Sequence, residues 1–209
     1  MKKSMVILCA VLLVSGVVST ANPAPIQWKS VNGGNDHWYE FVDPGQYIPW
    51  NSAKAAAESQ SWLGITGHLV TITTGEEDEF ITQTFLTDAP VTWITIGAFQ
   101  PEGSVEPDGG WTWVTGEDWT YSNWRPTEPN NNPFLGGENV IQVFTNLTDF
   151  APGLWNDQYE NLPADYPACG YIIEYDGGGT TPVPEPATTF LLGSGMVGLA
   201  GFRKRFGKK

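Results

Sequence analysis

From Val91 to Asp176 the chain offers no stretch suited to a long helix, because Gly, Pro and Asn recur too often and tryptophans are set between them. Gln100 to Gly110 is a loop of Gly, Pro and acids. Trp111, Trp113, Trp119, Tyr121 and Trp124 then alternate with turn residues. Arg125 to Pro152 has Pro, Asn and Gly spacing that suits neither helices nor long strands. A chain built this way must pin long irregular loops to a core with its largest rings. An aromatic stripe can also be read as a stacking platform for sugars. Each ring taken singly reads better as core filling beneath the loops. Three β-rich runs punctuate the region: Trp93-Ile94-Thr95-Ile96-Gly97, Asn139 to Phe144, and Tyr171-Ile172-Ile173-Glu174-Tyr175. Leu154-Trp155-Asn156-Asp157 falls in a loop-like stretch before the last of them.

The first half is more regular. Tyr39 and Phe41 share one face of a strand with Trp38 on the other, which predicts a short strand pair turning at Pro44-Gly45. Pro49-Trp50-Asn51-Ser52 opens a helix running through the alanines to Glu58, with Asn51 or Ser52 as its cap. Gly67-His68-Leu69-Val70-Thr71-Ile72 is β-rich, and His68 reads as a half-buried strand histidine. Thr73-Thr74-Gly75-Glu76-Glu77 begins a second helix reaching about Leu86, with acids in the first turn where the helix dipole favours them.

Charge is distributed unevenly. Of ten basic residues only Lys29, Lys54 and Arg125 lie between residues 22 and 182, whereas all but one of the 23 acids do. Phosphate binding needs a basic stripe, so a nucleic-acid partner is excluded. Within this acidic body Glu128-Pro129-Asn130, Glu138 and Trp155-Asn156-Asp157 gather three carboxylates and two amides in two separated segments. All five side chains are hard oxygen donors, the kind Ca²⁺ selects, and the absence of thiolate and imidazole among them argues against zinc there. Cys9 lies in a segment expected to be removed, leaving Cys169 without an intrachain partner and the fold without a disulfide. With no cation near it in sequence, Cys169 reads as a small buried or loop residue. Asn146-Leu147-Thr148 matches the glycosylation tripeptide, but no modification is expected from it alone.

The ends carry processing signals. Lys2-Lys3, the apolar run Met5 to Val18 and the small residues Ser19-Thr20-Ala21 form a signal peptide over 1–21. The body spans 22–176, and a Gly/Thr linker occupies 177–182. Val183-Pro184-Glu185-Pro186, an apolar run over 187–202 and Arg203-Lys204-Arg205 end the chain. The apolar run is short for a spanning helix of ~20 residues, and its basic flank keeps the tail cytoplasmic while the body faces outward. This ending resembles the PEP-CTERM sorting signal of Gram-negative bacteria. The resemblance implies transient membrane insertion through 187–202, cleavage by an exosortase-type enzyme, and a secreted or cell-surface product.

The body resembles a C-type lectin-like domain over about residues 27–176. Trp50-x-x-Ala53, Gly67 to Ile72, the acidic second helix and Trp93 to Gly97 match its first half. Gly110-Trp111-Thr112-Trp113, Trp124, Glu128-Pro129-Asn130, Gly137-Glu138-Asn139 and Trp155-Asn156-Asp157 match its second. The implied fold is α+β, two helices with small antiparallel sheets and long irregular loops. The implied calcium ligands are Glu128, Asn130, Glu138, Asn156 and Asp157. Of these, Glu128, Asn130, Glu138 and Asn156 would also meet sugar hydroxyls, with a preference for mannose- or glucose-type sugars. In the family the bond before the motif proline is cis, a form that Pro129 makes accessible. Glu102, Glu106, Asp108 and Asn131 read as solvated loop residues, with an auxiliary calcium site as the alternative.

One departure stands out. Where the family usually has cysteines, Ala57 faces Ile173 and Val140 faces Glu160, so the tryptophan core and bound Ca²⁺ must compensate. The sequence thus predicts an exported, non-enzymatic, calcium-dependent module for a glycan or exopolysaccharide such as a biofilm matrix. A structural or protein-binding scaffold of the same fold is the alternative. A hydrolase with paired carboxylates is disfavoured, because the best acid cluster is already accounted for as metal ligands.

Overall fold

A computed structural model describes residues 23–163 and 165–177. The expected signal peptide and the sorting segment lie outside the described residues. Strands β1 (Ile26–Gln27) and β2 (Trp38–Val42) pair antiparallel, Ile26 opposite Tyr39. Their connection is a short 3₁₀ turn at Ser30–Asn32 followed by Gly33 in the left-handed region. Pro44-Gly45 is therefore not the hairpin turn; it redirects the chain after β2 towards helix α1 (Trp50–Glu58). Pro49 precedes α1, and Asn51 and Ser52 lie inside its first turn without capping it. The carbonyl of Pro49 accepts the first helical bond from Ala53 N at 2.9 Å.

Helix α2 (Gly75–Ile81) begins where the sequence places it, with Thr74 Oγ1 accepting from Glu77 N at 3.2 Å, and continues as a π-helical turn over Thr82–Leu86. Strands β3 (Ser61–Trp62) and β4 (Ile65–Thr66) form a small hairpin of their own. All other strands join one sheet. Its order is β1, β2, β10 (Cys169–Tyr175), β6 (Trp93–Phe99), β8 (Val140–Phe144), β9 (Trp155–Gln158). Strand β5 (His68–Leu69) pairs with β10, and β7 (Thr112–Trp113) pairs with β6.

The α+β class stands, but the sheet is mixed, because β10 runs parallel to β6 with Cys169 opposite Trp93. The three middle strands are buried on both faces and mostly apolar, with Thr95, Gln142 and Glu174 as buried polar exceptions. Alternation divides the core in two. Tyr171, Ile173 and Tyr175 face Trp50, Ala53 and Ala57 of α1, while Ile172 faces Tyr39, Trp113 and Trp155 beneath the loops. Trp111 and Trp113 are buried, with Trp119, Tyr121 and Trp124 packed against that cluster, so the rings fill core rather than form a platform. Ala57 and Ile173 lie in one apolar cluster.

Cys169 is fully buried and unpaired, and burial pushes its thiol up to about 12, which makes it an inert core residue. Gly97 is the close-approach point of the sheet. A Cβ there would lie 2.6 Å from the carbonyl oxygen of Leu69, and the strand register shifts between Thr95 and Phe99. Because backbone rather than a flexible side chain blocks that position, Gly97→Ala is expected to lower stability by about 1–3 kcal/mol in urea denaturation. Gly75→Ala, whose added carbon meets only Tyr121 at 3.6 Å, should remain close to wild type.

Candidate functional site

Trp155 fixes the loops to the sheet. Its indole is fully buried and contacts the rings of Trp113, Trp119, Tyr121 and Trp124. Its backbone N donates to Asn123 O at 2.8 Å, and its carbonyl accepts from Arg125 N at 2.9 Å. Its Nε1–H donates to Asp78 Oδ1 at 3.3 Å, while Asp78 Oδ2 accepts from Asn123 Nδ2 at 2.9 Å. A buried acid of α2 thus positions the segment that leads to Glu128. From the sequence that acid is visible only as first-turn charge that the helix dipole favours.

The segment 128–138 then wraps around two carboxylates. Asp157, on β9 and fully buried, accepts from Asn130 N at 3.1 and 3.0 Å and from Asn131 N at 2.7 Å. Glu138, 5 % exposed, accepts from Asn132 N at 2.9 Å, and its own N–H donates to Asn131 Oδ1 at 2.9 Å. The Glu128–Pro129 bond is cis and Asn131 has a positive φ of 44°. Glu128 Oε2 accepts from the side-chain amide of Asn130, and Glu128 Oε1 accepts from the Arg125 guanidinium. That guanidinium stacks over Phe150 with its Cζ 4.6 Å from the ring centre.

Glu128, Asn130, Glu138 and Asp157 are therefore brought into one network. Asn156 joins only through the carbonyl of Asp157, to which its amide donates. The segment expected to be loop-like is a strand, in which Asp157 is buried and Asn156 half-buried. Arg125 is the partner that the sequence reading missed, although its spacing three residues before Glu128 was visible. Glu102, Glu106 and Asp108 are exposed on their loop, and Asn131 is spent as a backbone bolt.

Crowding of these acids shows in their protonation. Burial, aided by the charges of Asp157 and Glu128, pushes Glu138 up to about 7 against the pull of the Asn132 amide. Burial also raises Glu128, opposed by Arg125. The donor set is all oxygen, and three acids share one arginine, a composition that fits a hard divalent cation. The oxygens are nevertheless turned onto backbone amides and Arg125 rather than onto one point. Among the described residues, the His, Cys and carboxylate donors that converge within 4.8 Å are His37, Glu174 and Asp176, on another part of the sheet.

Comparison with known proteins is in keeping with this geometry. The chain matches the family model described as a lectin C-type domain over residues 48–161, and that of the PEP-CTERM protein-sorting motif over 182–205. It is 32% identical over 162 residues to halomucin of Haloquadratum walsbyi, covering 71% of this chain and 2% of halomucin. It is 29% identical over 157 residues to human asialoglycoprotein receptor 2, covering 72% of this chain and 42% of the receptor. The chain thus spans less than half the length of these curated relatives. Among solved structures it is similar to the cow carbohydrate-recognition domain of CD23, determined in the presence of a GlcNAc2Man3 oligosaccharide. There the TM-score is 0.51 and the identity 25%, over 76% of this chain and 98% of that one.

The raised groups agree in direction. Burial is the leading cause that pushes Glu77 up to about 7 and Asp78 up to about 6, alongside Glu138 at about 7. A carboxyl whose folded pKa exceeds its unfolded value contributes stability that is full below about 4 and is lost as pH rises through the folded value. In chelator, the melting temperature should therefore fall between about pH 5 and pH 7.5, and Glu77→Gln should flatten that fall. A melting temperature that rises over this window would contradict the burial of these acids.

Proposed function

Because the chain belongs to the C-type lectin domain family, we propose that it is an exported, calcium-dependent module for mannose- or glucose-type glycans or a matrix polysaccharide. Membership makes it a lectin module and not an enzyme, and the sorting motif points to export and surface sorting in bacteria. A Gram-negative host, exosortase processing and transient insertion through 187–202 belong to the proposal.

The observation behind the reading is the network of Glu128, Asn130, Glu138 and Asp157 around an exposed loop tip. Calcium, when bound, supplies coordination positions that two vicinal sugar hydroxyls can fill. Glu128, Asn130 and Glu138, with Asn156 from the strand, would hold the ion and present acceptors and amide donors to those hydroxyls. Asp157 would hold the ion from below, and it already fixes the loop through the amides of Asn130 and Asn131. Phe134, 87 % exposed on the same loop and followed by exposed Leu135, offers an apolar rim for a sugar face.

The second reading, a scaffold that binds no sugar, is favoured by one feature. The acids already have protein partners, with Arg125 on Glu128 and backbone amides on Asp157 and Glu138. Extracellular modules bind Ca²⁺ at about 10⁻⁴–10⁻³ M, so millimolar calcium is the condition that separates the two readings. The mature chain should be retained on mannose or glucose resin with calcium and released by chelator. Glu128→Gln should weaken calcium binding by about 10–100-fold. Retention that is indifferent to chelator, or no retention on any sugar resin, would leave the scaffold reading.

A further inference from the structure

We propose a second metal site of different chemistry, in which His37, Glu174 and Asp176 bind a borderline divalent ion of the zinc class and His68 holds Asp176 in place. Strand register brings them together. Glu174 of β10 lies opposite Tyr39 of β2 on one side and His68 of β5 on the other. The β2–β10 pairing ends with Tyr175 opposite Trp38, and one residue further on lie Asp176 and His37. Side chains alternate, so His37, His68, Glu174 and Asp176 share one face across three strands.

The donor atoms of His37, Glu174 and Asp176 lie within 4.8 Å of one another, which suits a shared ion, and His68 meets this group through Asp176. His37 Nδ1 is 2.7 Å from Glu174 Oε1 and 3.7 Å from Asp176 Oδ1, and His68 Nε2 is 3.0 Å from the same Asp176 oxygen. Ligands at zinc distances of ~2.0–2.1 Å in a tetrahedron stand about 3.3 Å apart, which these separations bracket. An imidazole with two carboxylates forms a nitrogen and oxygen set that suits zinc-class ions better than calcium.

The surroundings hold the donors in place. Glu174 is 1 % exposed, and its Oε2 accepts from Thr71 N at 2.9 Å and Thr71 Oγ1 at 3.1 Å. His68 Nδ1 lies 2.8 Å from Leu69 O, an atom that can only accept, so Nδ1 bears the hydrogen and Nε2 is left facing Asp176. Two acceptors 3.0 Å apart need a proton between them, so a protonated His68 donates from Nε2 to Asp176 and fixes that carboxylate beside His37. Hydrogen-bonded outer partners of this kind orient the carboxylate ligands of a metal. Asp176 is exposed, which leaves the ion a path to solvent. Such an ion would clip the start of β2 to the end of β10, where the body meets the linker, in a domain with no disulfide among its described residues.

The test titrates Co²⁺ and then Zn²⁺ into the intact mature chain with millimolar Ca²⁺ present, so that any calcium site is filled. The expected result is one Co²⁺ per chain with visible absorption typical of tetrahedral nitrogen and oxygen ligation, displaced by Zn²⁺, and a Zn²⁺-dependent rise in melting temperature. Asp176→Ala, at an exposed position, and the double variant His37→Gln with His68→Gln should each weaken Zn²⁺ binding at least about tenfold. Both should leave calcium-dependent sugar retention unchanged, which keeps this result separate from the lectin reading. Absence of a Zn²⁺ response in the wild type, equal binding by both variants, or displacement of Co²⁺ by Ca²⁺ would each overturn the proposal.

Discussion

The stability of the loop half depends on one indole. Trp155 sits where the sheet, helix α2 and the aromatic loop meet; its backbone N–H and carbonyl bond Asn123 and Arg125 of the loop, and its indole N–H bonds Asp78 of α2. Its ring is surrounded by four other aromatic rings, three of them tryptophans, with centroids 5.8 to 6.0 Å away, in the edge-on arrangements that aromatic quadrupoles favour. Without such a post, a segment so rich in Gly, Pro and Asn would have little to offset its conformational entropy. With it, residues 123–125 are stitched to β9, and the chain enters the turn at Glu128 already aimed at Asp157.

From that post the site is built by carboxylates acting as backbone receptors. Asp157 and Glu138 accept amide hydrogens from three consecutive residues, Asn130 to Asn132, so a loop without regular structure has a defined path. Burial, with the confined charge of Asp157 and Glu128 adding to it, is why Glu138 holds its proton to about 7. Arg125 relieves part of the repulsion by pairing with Glu128, and its guanidinium lies over Phe150. Loop shape and cation affinity therefore draw on the same oxygens, and neither can be altered without disturbing the other.

The fold was largely legible because its signals are local. Thr74 before an acidic turn, the alanine helix and the β-rich runs each act over a few residues, and each appears at or within about two residues of its expected place, apart from the Gly67–Ile72 run, which is strand only over His68–Leu69. The hairpin turn was misplaced because Pro44-Gly45 is a strong turn signal wherever it falls, whereas the connection that pairs β1 with β2 relies on Gly33. The strand at Trp155–Gln158 was hidden because Asn and Asp have low β propensity, and pairing with apolar β8 overrides it. Likewise, nothing in the sequence alone told that Asp78 would reach Trp155 or that His37 and His68 would flank one strand. Those contacts span 77 residues in the first case and three strands in the second.

Charge balance connects the two acidic clusters. The body has three basic residues, and Lys54 is occupied by Glu58 on the outer face of α1. Arg125 serves Glu128, which leaves Glu138 and Asp157 with amides alone. At the other cluster Glu77, Glu174 and Asp176 have only His37, His68 and neutral donors such as Tyr39 and Thr71. Amides and hydroxyls stabilise an anion through dipoles, but they do not cancel its charge, and neighbouring acids still repel at low dielectric. The remaining charge must be met by protons or by bound cations. The raised Glu77 and Glu138, in which burial leads and neighbouring acids add, represent the first solution, and divalent ions at two chemically different sites would represent the second.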